Sequence, residues 1–404
     1  MDGGGGENWN AEMLAARRPD LYTARLVHLR AHMRALDVPV MLLRDPNNIF
    51  YATGARNMMV FGMRSPTRYL LLHVDGPVIL YDFRGAEHLA EGLPTVTEIR
   101  TAEGLHRLSS GGDPEAACAR FAAVIRADLA EVDPDLNRIA LDAFPWPAVD
   151  ALRALGLHIE DADRVLLPAR TVKDPLELPY LRAAMDRVDA GVRALEENAD
   201  PGQTESEIWA HFHFQLMAKE GQYATTRLFQ SGPNTYPYFQ ECGGRVVEAG
   251  DLLCLDTDAV GFEGYCVDYS RTFLAGEGRA TADQRLLYAR AREQLEHNAG
   301  LLRPDMEFRE LAEKAWYVPE EHQKSRYYCV GHGLGMAGEW PNIPHWQGGD
   351  YPLQGRLEPG MVICLESYIG WDRSAEGVKL EDQFLIGADG VERMSSYPFD
   401  MRLG

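Results

Sequence analysis

Six ionisable side chains stand in segments of this chain that are otherwise apolar enough to be buried strands. In GDLLCLDTDAV, Asp256 and Asp258 are two residues apart, and strand alternation puts both on one face. Ten residues beyond Asp258, GYCVDYSRTF carries Asp268, and a hairpin between the two segments would set it opposite the first pair. GHGLG presents His332 among glycines that let backbone approach closely. CLESY and VKLEDQF place Glu366 and Glu381 in two further apolar runs. Buried carboxylates that close must be protonated, share a proton or be neutralised by a cation, and a divalent metal is the simplest of these solutions. One strand aspartate alone is ordinarily an edge or turn residue, but six such groups in this order point to a common centre. Three aspartates, one histidine and two glutamates suit two hard or borderline ions, Mn, Fe, Co or Zn, bridged by carboxylate.

Charge excludes several partners for such a centre. The 404 residues hold 40 basic and 61 acidic side chains, a net charge of −21, which repels phosphate backbones and anionic lipid. Neither a nucleic-acid partner nor a membrane surface is expected. With 46% hydrophobic and 25% charged residues the composition is that of a globular protein. The six cysteines contain no C-x-x-C pair and are too sparse for a disulfide scaffold. No run reaches the ~18 apolar residues of a membrane helix, and MDGGGGENWN has no signal-peptide pattern. The expected location is cytoplasmic, with residues 1–19 a flexible tail.

Two regions separate on pattern. From 20 to 165, helical spacing over 22–36 (Leu26, Leu29, Met33, Leu36) leads into the apolar run 38–43, followed by strand-like runs at 69–73 and 77–82 around the turn Asp75-Gly76. That alternation suggests a small α/β domain. RTVKDPLELP, with two prolines, reads as a linker into a second domain over 170–404. There Thr204 with Glu207, and Thr281 with Gln284, form capping boxes ahead of helically spaced apolar residues. Strand-like runs at 251–260, 265–273 and 361–369 complete an α+β pattern of long helices on a mostly antiparallel sheet.

The order Asp, Asp, His, Glu, Glu, with GY-x-x-D, H-G-x-G and a closing [KR]-x-E-D, resembles the pita-bread metalloenzymes, among them methionine aminopeptidase, aminopeptidase P, prolidase and creatinase. The resemblance covers nearly the whole chain and implies a creatinase-like N-terminal domain before the pita-bread catalytic domain. The departures narrow it. Where the peptidases carry a histidine after G-x-N, this chain has SGPNTYPYFQE with Tyr238 and Phe239; seven residues after His332, where they carry another, it has Glu339. Asp256 and Asp258 lie twelve and ten residues before Asp268, not the peptidases' eleven. With GP-x-T-x-P-[YW]-FQECG, LDTD and HGLG-x-x-x-EWP, these features look most like the DddP-type dimethylsulfoniopropionate (DMSP) lyases, which use iron to split DMSP into dimethyl sulfide and acrylate.

That resemblance implies two metal ions, iron foremost, held by Asp256, Asp258, Asp268, His332, Glu366 and Glu381, and an active-site tyrosine at Tyr327. The lyases' catalytic aspartate falls at Gly338, which makes Glu339 or Tyr327 the expected base. A sulfonium or quaternary ammonium group would sit against aromatic faces, worth about 0.5–2 kcal/mol per contact; the candidates are Tyr236, Tyr238, Phe239, Trp340 and Trp371. The expected partners are a small zwitterionic substrate and, by resemblance, a second copy of the chain in a homodimer. The alternatives are a hydrolase of a small amide, amidine or cyclic amidine on the same fold, an Xaa-Pro-type peptidase, and a non-catalytic binding protein that kept the scaffold.

Overall fold

Val40 to Leu43, an uninterrupted apolar run, forms the central strand of a mixed sheet in the computed structural model, which describes residues 11–404. The chain divides after Ala169 into two compact units. In the first, β1 (Val40–Leu43), β2 (Tyr69–His73), β3 (Val78–Asp82), β4 (Glu98–Thr101), β5 (Arg138–Leu141) and β6 (His158–Asp161) take the order β4-β3-β2-β1-β5-β6. β2 is antiparallel to β1 and β3, while β4, β5 and β6 join in parallel. Phe121, Ile125 and Leu129 of the helix Pro114–Val132 pack on Val40, Leu42, Tyr69 and Leu71. Asp113 caps that helix and Pro114 opens it, a pairing that suits a helix start because proline lacks the donor a first turn leaves unpaired.

The reading of residues 1–19 as a tail falls partly on residues 1–10, which lie outside those described. Beyond them Ala11–Ala16 and Arg18–Ala35 are helical, so the helix starts ahead of Tyr22, with Pro19 in its first turn. The segment read as a linker is helical at its start, since the helix Asp163–Thr171 runs into it.

In the unit from Arg170, the helices Glu205–Ala218 and Ala282–Leu301 both begin in full capping boxes, at Thr204/Glu207 and Thr281/Gln284. A small sheet pairs β7 (Tyr223–Ala224), β10 (Ala259–Val260) and β11 (Cys266–Val267). The main sheet is antiparallel: β8 (Phe229–Ser231), β9 (Leu252–Asp256), β12 (Ser270–Leu274), β13 (Cys329–Leu334), β14 (Gly338–Pro344), β15 (Val362–Trp371), β16 (Glu376–Ile386) and β17 (Val391–Arg393). Its order is β14-β13-β15-β16-β12-β9-β8, with β17 also on β16.

Strand alternation divides this sheet into an apolar and a polar face. Ile363, Leu365 and Ile369 of β15, with Val378 and Leu380 of β16, pack against Leu287, Ala291 and Leu295 of the helix Ala282–Leu301. Each fully buried aliphatic side chain there contributes about 1.5–3 kcal/mol. The alternate residues, Cys364, Glu366 and Tyr368 on β15 and Lys379, Glu381 and Gln383 on β16, face the other way. Nearly every position of both strands is buried, so the sheet holds ionisable groups on a face that is also closed to water.

Candidate metal centre and active site

Register assembles the site. Asp256 pairs with Ser270, Ser270 with Glu381, and Glu381 with Glu366, which makes one row across β9, β12, β16 and β15. The next row is His332, Cys364 and Gln383, and the row on the other side includes Tyr368 opposite Lys379. Directly opposed residues stand about 4.5–5.5 Å apart at Cβ, so three carboxylates, an imidazole, a thiol and an ammonium share one patch of sheet. Asp268 joins from the turn between β11 and β12, where its backbone N–H donates to Gln383 Oε1 at 3.2 Å.

His332 is oriented from behind. Its Nδ1 lies 3.2 Å from the Gly333 carbonyl, a contact that needs the proton on Nδ1 and leaves Nε2 toward the carboxylates. Nε2 is 3.3 Å from Glu366 Oε1, 3.6 Å from Glu381 Oε1 and 3.7 Å from Asp268 Oδ2. Asp268 Oδ1 and Glu381 Oε1 are buried without any hydrogen-bond donor among the described residues. The ligand atoms of Asp268, His332, Cys364 and Glu381 lie within 4.8 Å of one another.

These carboxylates resist ionisation together. Burial, then repulsion from Glu366, pushes Glu381 up to about 7. Burial and Asp256 push Asp258 up to about 6, and Asp268 rises well above the carboxylate range through burial and its acidic neighbours. Burial alone would lower His332, but the facing Glu366, Glu381 and Asp268 carboxylates raise it well above the usual imidazole value. Unpartnered buried oxygens, a histidine nitrogen aimed at them and mutual repulsion are what a divalent cation relieves, so the residues fit one.

Sequence reasoning missed the strongest cation of the site. Lys379, fully buried, puts Nζ 2.6 Å from Glu381 Oε2, 2.7 Å from Glu366 Oε2 and 3.3 Å from Asp256 Oδ2, and donates to Ser270 Oγ at 2.7 Å. Burial opposes its charge, but the three carboxylates hold it well above the usual lysine value. The ammonium also stands 4.8 Å from the Tyr327 ring centroid and 5.6 Å from that of Tyr238. Cys364 and Ser270 were missed as well. The signal for two of these was present: Lys379 precedes Glu381 by two residues and Cys364 precedes Glu366 by two, so alternation gives each the face of its acidic neighbour.

Asp258 reaches the site differently from its expected strand alternation. β9 ends at Asp256, and Asp258 has φ +36°, a left-handed turn residue whose Oδ2 accepts from Thr226 Oγ1 at 2.7 Å. Its charge is nonetheless felt by Asp268. Asp256 lies at the edge nearest the aromatic residues, with Oδ2 accepting from Tyr238 at 2.6 Å and Oδ1 2.8 Å from Ser270 Oγ. Burial would raise it, but Lys379, Tyr238 and Ser270 together hold it below the usual value.

The aromatic candidates separate into two groups. Tyr236, Tyr238 and Tyr327 belong to one cluster with Leu228 and Tyr368, and the Phe239 ring lies tilted against Tyr238 at 4.7 Å and Tyr327 at 5.5 Å between centroids. Trp340 and Trp371 lie outside that cluster. Trp340 meets Phe308 edge-on at 6.2 Å. Trp371 packs on the apolar side of the sheet between Arg373 at 4.6 Å and His322 at 5.5 Å.

Glu339, the other expected base, is held in a buried ion cluster. Its Oε1 accepts from Arg170 Nε and from the Met336 N–H, both at 3.0 Å, and its Oε2 from Lys173 Nζ at 2.7 Å. Burial would raise it, but the two cations hold this carboxylate below the usual range. A carboxylate saturated by two cations is a poor proton acceptor. Tyr327, raised by burial and by Glu366, stays a neutral phenol in the metal-free site.

Comparison with known proteins agrees with this architecture. Residues 179–388 match metallopeptidase family M24, and residues 25–172 match the creatinase/prolidase N-terminal domain. The dimethylsulfoniopropionate lyase DddP of Roseobacter denitrificans is 35% identical over 95% of this chain and 88% of its own length. That of Roseovarius nubinhibens is 34% identical over 90% and 83%. The prolidase of Pyrococcus horikoshii has the same fold, with a TM-score of 0.75 over 94% of this chain and 99% of that one at 19% identity. No helix among the described residues is long and apolar enough to cross a membrane. Both domains match, and the two lyase relatives extend over most of the chain: this protein is an enzyme of metallopeptidase family M24, of the DddP type within the pita-bread fold.

Proposed function

We propose that this chain is a metal-dependent lyase that splits DMSP, or a closely similar small zwitterion, into dimethyl sulfide and acrylate. The observation that carries the reading is the 35% identity to a DddP lyase across nearly the whole of both chains. Asp256, Asp258, Asp268, His332, Glu366 and Glu381 are the proposed ligands of two divalent ions, iron foremost and Mn, Co or Zn as alternatives. Bound metal would supply Lewis-acid stabilisation of charge developing on the substrate carboxylate.

The remaining work falls to the chain's own residues. Tyr236, Tyr238, Phe239 and Tyr327 offer ring faces to the sulfonium end, and the Lys379 ammonium already lies against two of them, Tyr238 and Tyr327. With Glu339 held by Arg170 and Lys173, Tyr327 is the proposed base: beside bound metal its phenol would lose its proton to solvent, and the phenolate Oη would then accept the proton on the carbon next to the carboxylate. The electron pair of that C–H bond forms the double bond of acrylate as the C–S bond breaks, and dimethyl sulfide leaves with the sulfur electrons. Water exclusion by the buried sheet face favours elimination over hydrolysis. The proposed setting is a cytoplasmic homodimer, in keeping with six cysteines that are all free.

The test is headspace dimethyl sulfide from metal-analysed protein given DMSP. Gas released with equimolar acrylate supports the lyase. No release from metallated protein overturns it and favours a hydrolase of small amides or amidines, the chemistry to which the prolidase-like fold also lends itself.

A further inference from the structure

We infer that Cys364 is itself a metal ligand, so that the centre takes one sulfur donor beside its carboxylates and imidazole. The inference rests on the metal-centre reading above and adds a residue to it. Cys364 stands directly opposite His332 in the β13–β15 pairing, on the face that carries Glu366 two residues later. Its Sγ shares a 4.8 Å cluster with the ligand atoms of Asp268, His332 and Glu381. The side chain is fully buried, and its one polar contact is a long approach, 3.5 Å, to the Asp268 carbonyl oxygen.

A buried cysteine is ordinarily a small apolar filler. Cys118, set among Phe121, Leu129 and Ile139, is one of that kind. Cys364 is not, because its neighbours on that face are ionisable groups. Two of them, Asp268 Oδ1 and Glu381 Oε1, are buried and have no hydrogen-bond partner among the described residues, so their lone pairs are left for a cation in the cluster that Sγ shares. An all-oxygen site has no use for a thiol there, since serine or threonine would fill the position and donate a hydrogen bond to the same oxygens. A cation drawn to Asp268, His332 and Glu381 meets the sulfur in the same shell. As the sulfur–metal bond forms, the thiol proton passes to solvent and the metal replaces it on sulfur. One thiolate in an oxygen- and nitrogen-rich shell shifts preference toward Fe, Co or Zn and away from Mn or Mg.

X-ray absorption on full-length protein loaded with zinc tests this. Wild type is expected to show one sulfur scatterer at about 2.3 Å beside nitrogen and oxygen scatterers at about 2.0–2.2 Å. Cys364→Ser is expected to lose the sulfur shell while retaining bound zinc. A zinc-loaded wild type with only nitrogen and oxygen scatterers overturns the inference and leaves the metal centre standing. A sulfur shell that survives in Cys364→Ser overturns it too, because the donor is then another cysteine. Wild type that binds no zinc, iron or cobalt overturns the metal centre and this ligand together. If Cys364→Ser fails to fold, Cys364→Ala replaces it, and the wild-type spectrum alone already decides whether sulfur is bound.

Discussion

Glu339 and Tyr327 had equal claim to be the base, and what each touches separates them. Converting Glu339 to glutamine keeps its shape and removes its charge, leaving Arg170 and Lys173 buried beside a neutral amide. Removing one member of a buried ion cluster typically costs about 3–5 kcal/mol, because the partners' desolvation is then uncompensated. Glu339→Gln is therefore expected to lose roughly 3 kcal/mol of folding stability in urea denaturation, with turnover per folded molecule unchanged. A variant as stable as wild type but without turnover would restore Glu339 as the base. Tyr327→Phe should behave in the opposite way, keeping fold and metal content while turnover falls on the order of 10²- to 10⁴-fold, the usual share of a proton-transfer group. Metal analysis beside the rate measurement distinguishes a lost base from a lost site. Retained turnover in Tyr327→Phe would move the proton to another group.

At the scale of elements, β13 and β14 must approach closely for His332 to reach the centre. Gly333 pairs with Glu339 across them, next to a register shift at His332/Gly333. A Cβ on Gly333 would collide with the Trp340 carbonyl oxygen and lie 2.8 Å from that of Glu339, both backbone atoms that cannot swing aside. Gly333→Ala is expected to spread the pair, displace His332 and weaken metal binding, as read by metal titration. Gly338→Ala, five residues on with nothing within 4 Å of its added Cβ, should bind metal as wild type does. Equal affinity in the two variants would show that the strand pair is looser than this packing implies.

The same elements show what the sequence makes legible. Both capping boxes were readable because a cap is a contact between residues three apart. The strand cores at 252–256 and 362–371 were readable because burial on both faces leaves long apolar runs. Register was not readable: only the pairings of Ser270 with Asp256 and with Glu381 bring those carboxylates into one row, and they join residues 14 and 111 apart. Strand alternation does not carry Asp258 to the face of Asp256, since β9 ends at Asp256 and Asp258 turns at φ +36°. Lys379 and Cys364 went unnoticed because a lysine next to acidic residues looks like an ordinary exposed pair and a cysteine in an apolar run like core. Trp340 and Trp371 were grouped with the tyrosines by nearness in sequence, although rings near one motif need not share a wall.

For the whole molecule, the carboxylate patch couples folding to pH and to metal. Asp258 at about 6 and Glu381 at about 7 are raised above their unfolded values, so between about pH 4 and 7 the metal-free folded state binds more protons than the unfolded one. Stability contributed by these groups is present at the acid end and is lost as pH rises through the folded values, by up to ~1.4 kcal/mol per pH unit for each group. His332, also raised, adds loss of the same sign above about pH 6.5, its unfolded value. Asp256 is held low, and its opposing contribution is lost only below about pH 4, outside this window. Metal-free protein is thus expected to be less stable to urea at pH 7 than at pH 5. Divalent metal favours the ionised carboxylates, and at 100-fold excess over its dissociation constant adds about 2.7 kcal/mol. Metal should therefore stabilise more at pH 7 than at pH 5, flattening or reversing the slope. If metal-free and metal-loaded protein instead show parallel pH profiles, the carboxylates are not where the metal binds, and Lys379 alone balances their charge.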